Sequence, residues 1–353
     1  MKLKEPPLKS TDYPQAALVC CAEEKRRDLL RRFTPMPYHT DLPVMAKTVR
    51  LESNSLTVVE SARAFFARHQ GLSLGDHEFL WRIVSQLDEL QSDAPGVELS
   101  AFSDCDLRFV NIGQRSFLAV DLEARLGIGF VAEDLVEPEP RINCRPFFDT
   151  LFCMSAGSLG MVALSAACIG LEDKGILIFG PPNSGKTTAS YLAAKLGLEF
   201  HADQAVFLEV EAGRLRAWGD LLPAIFRPES LEFLPELQVS TRRFSYPGLT
   251  VHYLSKQSFQ SVKAHPVTPI CSVFLERANS CETRLAPILS SELSRRFVES
   301  ILFKDDDHFQ QQTSTVHRML GKLPAYDLVY GTDPAMAAHC VREILMTHDL
   351  ARS

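Results

Sequence analysis

The sequence predicts an α/β protein in two parts, a smaller α/β domain followed by a larger one built around a glycine-rich loop. Three observations predict it. The run Gly180 to Thr187 spells Gly-x-x-x-x-Gly-Lys-Thr between an apolar strand-like run and a helix-forming one. Short β-type runs alternate with helical patterns on both sides of it. The segment 136–146 carries three prolines and several charges, continues neither kind of element, and so divides the chain. At 353 residues there is length for two domains of ordinary size.

Residues 1–45 hold six prolines and a charge run over 23–32, which reads as an irregular arm with one short helix whose basic face is solvated or serves as a docking patch. In the small α/β domain, 46–140, strands are expected over 46–51, 107–112, 116–121 and 126–131, and helices over about 60–69 and 76–90. Its role is not disclosed. The P-loop domain, 147–350, opens with 151–171, 21 residues without a charge and long enough on count to cross a bilayer. Its serines and glycines dilute that hydrophobicity, and a span there would remove the layer on which the P-loop must rest. The expectation is a buried helix over 147–161, a strand over 164–170, a charged turn and a second strand over 175–179. Strands follow at 206–210 and 213–217, an irregular region over 218–268, then strands at 269–276, 283–287 and 325–330. Helices are expected over 186–196, 290–303, 308–321 and 334–347.

Composition excludes several classes. With 46% hydrophobic and 23% charged residues the chain is neither low-complexity nor wholly disordered. A net charge of −7 argues against nucleic-acid and anionic-membrane partners, which require a positive surface. The nine cysteines form no Cys-x-x-Cys pair and show no zinc spacing, so reduced thiols are expected. The first residues contain no apolar run of the secretory type, which makes a cytoplasmic location the expectation.

Each residue of the P-loop has a chemical reason to be there. Gly180 and Gly185 let the backbone curl until the N–H groups of Asn183, Ser184, Gly185, Lys186, Thr187 and Thr188 converge on one concavity that accepts phosphate oxygens. The N-terminus of the helix that follows adds positive potential. Lys186 has the reach for β- and γ-phosphates, and the Thr187 hydroxyl suits the octahedral oxygen shell of Mg²⁺. ATP and Mg²⁺ are therefore the expected ligands. An acid must hold the metal or activate a nucleophile, and two stand at strand ends: Asp203, reached after the chain returns through 198–200, and Glu276, closing the apolar run 270–275. Spacing alone does not separate them.

The run 165–188 together with Gly197-Leu-Glu-Phe-His-Ala-Asp203-Gln204 resembles the catalytic domain of HPr kinase/phosphorylase and its looser P-loop serine-kinase relatives. The stretch 323–331 and the helix after it resemble the end of those relatives, so the likeness covers about 147–347. The resemblance implies a P-loop kinase domain of that type with a mixed sheet. It also implies that Asp203 takes the first place of an acidic pair serving metal binding and general-base work on an acceptor hydroxyl, and that the protein can assemble as a homo-oligomer. The second acid of the pair is Gln204, and the family's histidine at the start of the hairpin is Ser165, so phosphorylase activity and HPr itself as substrate are not expected.

Three further features have plainer readings beside the functional one. Arg227 is a charge clamp for the γ-phosphate or a surface residue; His201 is a proton shuttle or a packed side chain; Asp305-Asp306-Asp307-His308 is metal-like or a helix cap. The expected activity is phosphoryl transfer from ATP to a hydroxyl, foremost a serine of a protein or peptide, with Asp203 and Lys186 as the catalytic residues. The alternatives are a nucleotide-binding switch or scaffold with little transferase activity, and a small-molecule kinase.

Overall fold

The computed structural model describes residues 34–67, 77–86, 99–104, 106–112, 116–132, 145–219, 224–246, 249–254, 265–279, 282–302 and 310–350. Its first layer is a seven-stranded sheet built from β1 (Tyr38–Val44), β2 (Lys47–Ser53), β3 (Phe79–Gln86), β4 (Leu99–Asp104), β5 (Leu107–Ile112), β6 (Ser116–Asp121) and β7 (Leu126–Ala132), in the order β1-β2-β3-β7-β6-β5-β4. Between β2 and β3 lies α1 (Leu56–Phe66). The alternation of buried and open positions in β5, β6 and β7 follows from one face meeting the core.

Two sequence expectations are corrected in this layer. Residues 38–44, placed in the irregular arm, form the edge strand β1, turned into β2 through Met45 and Ala46 at φ 51° and 61°. Such a turn matches the right-handed twist of a hairpin, and the complete burial of Met45 holds it in a conformation side chains rarely adopt. Within the expected helix 76–90, Phe79–Gln86 is a strand instead. Phe79, Trp81 and Ile83 alternate onto the buried face, and β3 runs parallel to both β2 and β7, so both of its edges are paired. An apolar run this short satisfies either period, and the pairing decides. The charge run 23–32 lies outside the described residues.

The uncharged stretch 151–171 is shared among elements of different layers. Helix α2 (Arg145–Ser155) is shorter than expected and packs Phe147, Phe148, Leu151 and Phe152 into the core of the first sheet. The expected strand 164–170 is two strands, β8 (Val162–Leu164) and β9 (Ala167–Leu171), which belong to different sheets. At the break, the Ser165 N–H donates to Ser300 O at 2.7 Å. Among the described residues no helix is long and apolar enough to cross a membrane.

The second half contains β10 (Lys174–Phe179), α3 (Lys186–Lys195), β11 (Glu199–Ala202), β12 (Val206–Glu211), β13 (Arg214–Gly219), β14 (Ile225–Phe226), α4 (Leu237–Ser240), β15 (Thr241–Tyr246), β16 (Leu249–Leu254), β17 (Thr268–Arg277), β18 (Arg284–Pro287), α5 (Ser290–Ser300), α6 (Gln310–Leu320), β19 (Ala325–Tyr330) and α7 (Pro334–Leu350). A mixed six-stranded sheet runs β11-β9-β10-β17-β19-β18, and a three-stranded sheet runs β13-β12-β8. The region 218–268, expected to be irregular, contributes the small sheet β14-β16-β15 and a 3₁₀ turn, Pro228–Glu232.

Helices α3 and α7 cover one face of the six-stranded sheet, with Ala189, Ala193, Ala337 and Val341 against Ile176, Ile178, Val273 and Leu328. Small residues on the helices bring them close to the β-branched strands. The opposite face meets α5, α6 and the three-stranded sheet. The core of the first sheet continues into β12 and β13 through Phe207 and Trp218, with the Phe152 and Phe207 rings 4.7 Å apart. The described residues thus form a mixed α/β protein in which the three-stranded sheet shares one interior with the first sheet and another with the six-stranded sheet.

Candidate functional site

Strand direction fixes where the candidate residues gather. β9 is antiparallel to both β10 and β11, and β17 and β19 are parallel to β10, so β10, β11, β17 and β19 all end at one edge of the sheet. The glycine-containing loop 180–185 leaves that edge after Phe179. Asp203 follows β11, Glu276 is the second-last residue of β17, and Tyr330 closes β19. The carboxyl ends of parallel strands are where α/β sheets collect ligands, because the chain there turns into loops rather than further ladder.

The loop has the conformation its glycines allow. Asn183 and Gly185 have φ of 69° and 89°, and Gly185 leads directly into α3. A Cβ on Gly185 would lie 2.0 Å from Tyr330 Oη, so even a methyl group is excluded. That hydroxyl donates to Ser184 O at 3.0 Å and ties the loop to the end of β19. A Cβ on Gly180 would lie 2.5 Å from both Leu275 O and Ser184 Oγ. Ser184 Oγ is itself buried and has no hydrogen-bond partner among the described residues. Buried polar atoms are rarely left so, and one inside a turn of this kind suits a ligand that brings acceptors.

Lys186 bends back over the loop, its Nζ donating to Gly180 O at 2.6 Å and Pro181 O at 3.1 Å. Burial lowers the pKa of its ammonium, and the negative charge of Asp203 opposes that shift. Asp203 is buried, and its Oδ2 accepts the Ile225 N–H at 3.1 Å, which anchors β14 to the end of β11. Lys186 thus lies over the loop, and Asp203 follows β11 at the same edge of the sheet. Gln204, beside Asp203, is exposed.

The other candidates are placed differently. Glu276 is exposed; it follows Phe274 by two positions and so shares the sheet face turned toward α5, whereas Val273 and Leu275 face α3. Arg227 is exposed two residues beyond Ile225, at the start of the 3₁₀ turn. His201 is buried against Gly170 and lies 3.5 Å from Glu199 at the opposite end of β11, the packed rather than the shuttle position. Asp305-Asp306-Asp307-His308 lies outside the described residues. Two residues at this edge carried no sequence signal, Tyr330 and Arg277. Only their register opposite one another in the β17–β19 pair brings them to the loop.

No family model matches this chain, and no curated protein does. Among solved structures it is similar to the HPr(Ser) kinase/phosphatase from Coxiella burnetii, at 13% identity over 54% of this chain and 92% of that one, with a TM-score of 0.28. A TM-score that low bears on neither fold nor function.

A metal at this edge would have few protein ligands. No cluster of three or more His, Cys, Asp or Glu side chains forms among the described residues. Mg²⁺ bound by a P-loop takes most of its oxygens from phosphates and water and needs only one or two from the protein, so a hydroxyl such as that of Thr187 and a carboxylate such as Asp203 fit it.

Proposed function

We propose that this protein binds ATP with Mg²⁺ at the 180–188 loop and transfers the γ-phosphoryl group to a hydroxyl, foremost a serine of a protein or peptide. The observation that carries the reading is the geometry of the loop, with Gly185 at φ 89° leading into α3, the buried Ser184 Oγ unpartnered among the described residues and Lys186 folded over it, at the sheet edge where buried Asp203 follows β11. The loop amides bind the phosphates, and the Lys186 ammonium, released from Gly180 O and Pro181 O, moves onto the phosphoryl oxygens. Asp203 accepts the proton of the acceptor hydroxyl while the oxygen–phosphorus bond forms and the bond to the ADP leaving group breaks. Thr187 and Asp203 would hold Mg²⁺, which when bound would supply charge neutralisation on the phosphate oxygens.

The test is incubation of the protein with γ-labelled ATP, Mg²⁺ and a lysate of its source cell, followed by identification of the labelled acceptor. Lys186→Ala and Asp203→Asn should both abolish labelling, and labelling by both variants at the level of the unaltered chain overturns the mechanism. A second reading, a nucleotide-operated switch, is favoured by the neutral Gln204 beside the acid. Tight ATP binding without turnover on any acceptor selects it.

A further inference from the structure

Arg277 is the last residue of β17 and stands opposite Tyr330 in the parallel ladder, so the two side chains leave the same face of the sheet. Tyr330 shows where that face leads, since its hydroxyl meets Ser184 O and occupies the space beside Gly185. Arg277 is exposed, and no carboxylate ion-pairs with it among the described residues. Its guanidinium instead lies 5.6 Å from the centre of the Phe233 ring, which is itself 46% exposed. A cation stacked on an aromatic face keeps its N–H donors directed sideways and available.

Phe233 comes from the far side of the loop. The segment that carries it begins at Ile225, hydrogen-bonded to Asp203 beyond β11, and packs Leu231, Leu234 and Leu237 against Tyr191 of α3 and Phe200 of β11. To place Phe233 on Arg277 it must pass from the β11 end of the sheet to β17, and the strand order puts β9 and β10, with the P-loop, between them. The charge of Arg277 also bears on the Tyr330 phenol, opposing the upward shift that burial gives it.

We propose that Arg277, steadied by Phe233, is a second phosphate-binding cation of this site and grips the terminal phosphate of a nucleoside triphosphate, from the side of the loop opposite Asp203. The proposal rests on the nucleotide-binding reading given above. It makes the site selective for triphosphate over diphosphate, because a guanidinium offers two parallel donors to one phosphoryl group.

Calorimetric titration of the full chain with Mg·ATP and with Mg·ADP tests it, using Arg277→Ala, Arg277→Lys and Phe233→Ala. Loss of a charge-assisted contact of this kind should weaken ATP binding by about ten- to a hundredfold in Arg277→Ala. ADP binding should change far less, Phe233→Ala should fall between, and Arg277→Lys should recover part of the loss. ATP affinity in Arg277→Ala within about twofold of the unaltered chain, a change too small for a lost charged contact, overturns the proposal, as does an equal loss for ATP and ADP. Failure of the unaltered chain to bind any nucleotide is a different result, and overturns the P-loop reading itself. Because Arg277 is exposed, an unchanged melting temperature verifies that the variant is folded.

Discussion

The hydroxyl of Tyr330 donates to the carbonyl of Ser184 across 3.0 Å, joining the end of one strand to a loop 146 residues earlier. The same oxygen fills the space that a side chain at residue 185 would need. Tyr330 therefore acts on the turn at residues 184–185 through its shape, as a positioning residue. Tyr330→Phe keeps the ring and removes the donor, leaving a buried carbonyl unsatisfied at a cost of about 1–3 kcal/mol. The melting temperature should fall and Mg·ATP affinity should weaken. An unchanged melt and an unchanged titration would show that the hydrogen bond does not hold the loop.

Gly185→Ala attacks the same relationship from the other side. Its backbone sits at φ 89°, and the added methyl would meet Tyr330 Oη at 2.0 Å. Strain in the left-handed region adds of order 1–2 kcal/mol to that collision. Nucleotide binding should be lost, and pairing the change with Tyr330→Ala, which opens the space, should restore part of it. If the double variant binds no better than Gly185→Ala alone, the steric account fails.

The coupling of Lys186 to Asp203 has a sign that titration can read. Burial holds the Lys186 ammonium below its ordinary range, and the Asp203 charge pulls it back up. Asp203→Asn removes the second effect and keeps the first, so the pKa should drop further. Binding of ADP in the absence of metal requires the ammonium, and its alkaline limb should move to lower pH in Asp203→Asn. For stability the sign is the reverse. A lysine whose folded-state pKa lies below its unfolded value is bound to fewer protons when folded, so stability rises with pH through that window, and rises from a lower pH in the variant. An alkaline limb that stays in place, or moves upward, would separate the two residues.

Burial likewise sets the chemistry of two thiols. Cys168 and Cys271 are buried in the sheet and pushed up to about 12. The thiolate is the reactive form, and at pH 8 almost none is present. Iodoacetamide should leave both unmodified in the folded protein and alkylate both in denaturant, read by peptide mass spectrometry. Modification of either in the native state would contradict the packing of the six-stranded sheet.

Strand β10, the left-handed glycine turn at Gly185 and helix α3 were legible because their signal is local: an apolar run, a glycine spacing and a helix-forming run in sequence. So were β5, β6, β17, β19 and α7, whose periods are long or strongly alternating. The region 218–268 was misread although its own sequence carried a signal, the pair Pro247-Gly248 between two β-rich runs that became β15 and β16. Residues 79–86 were misread because Phe-Leu-Trp-Arg-Ile-Val satisfies either period, and only the partners β2 and β7 decide. Tyr330 and Arg277 were invisible for a different reason. Nothing near them in the chain indicates that β17 and β19 end beside a loop formed by residues 180–185.

The division of the chain near 136–146 shows the same limit in the packing. Helix α2 lies after that segment in sequence, yet Phe152 reaches Phe207 of β12 from within the core of the first sheet, and Glu209 of β12 accepts the Trp218 indole N–H at 2.6 Å while pairing with Lys47 of β2 at 3.4 Å. The two sheets are thus joined by fully buried aromatic contact as well as by charge. Removing the Phe207 ring should cost about 3–5 kcal/mol, as large-to-small changes in a well-packed interior do. Because the cavity would open between the sheets, Phe207→Ala should destabilise both together. Followed by tryptophan fluorescence from Trp81 and Trp218 and by far-ultraviolet circular dichroism, urea unfolding of the unaltered chain should give coincident transitions, and the variant should shift them to lower urea as one. Separate transitions in the unaltered chain, with only one moved by the substitution, would show that the halves fold independently and that the shared interior is incidental.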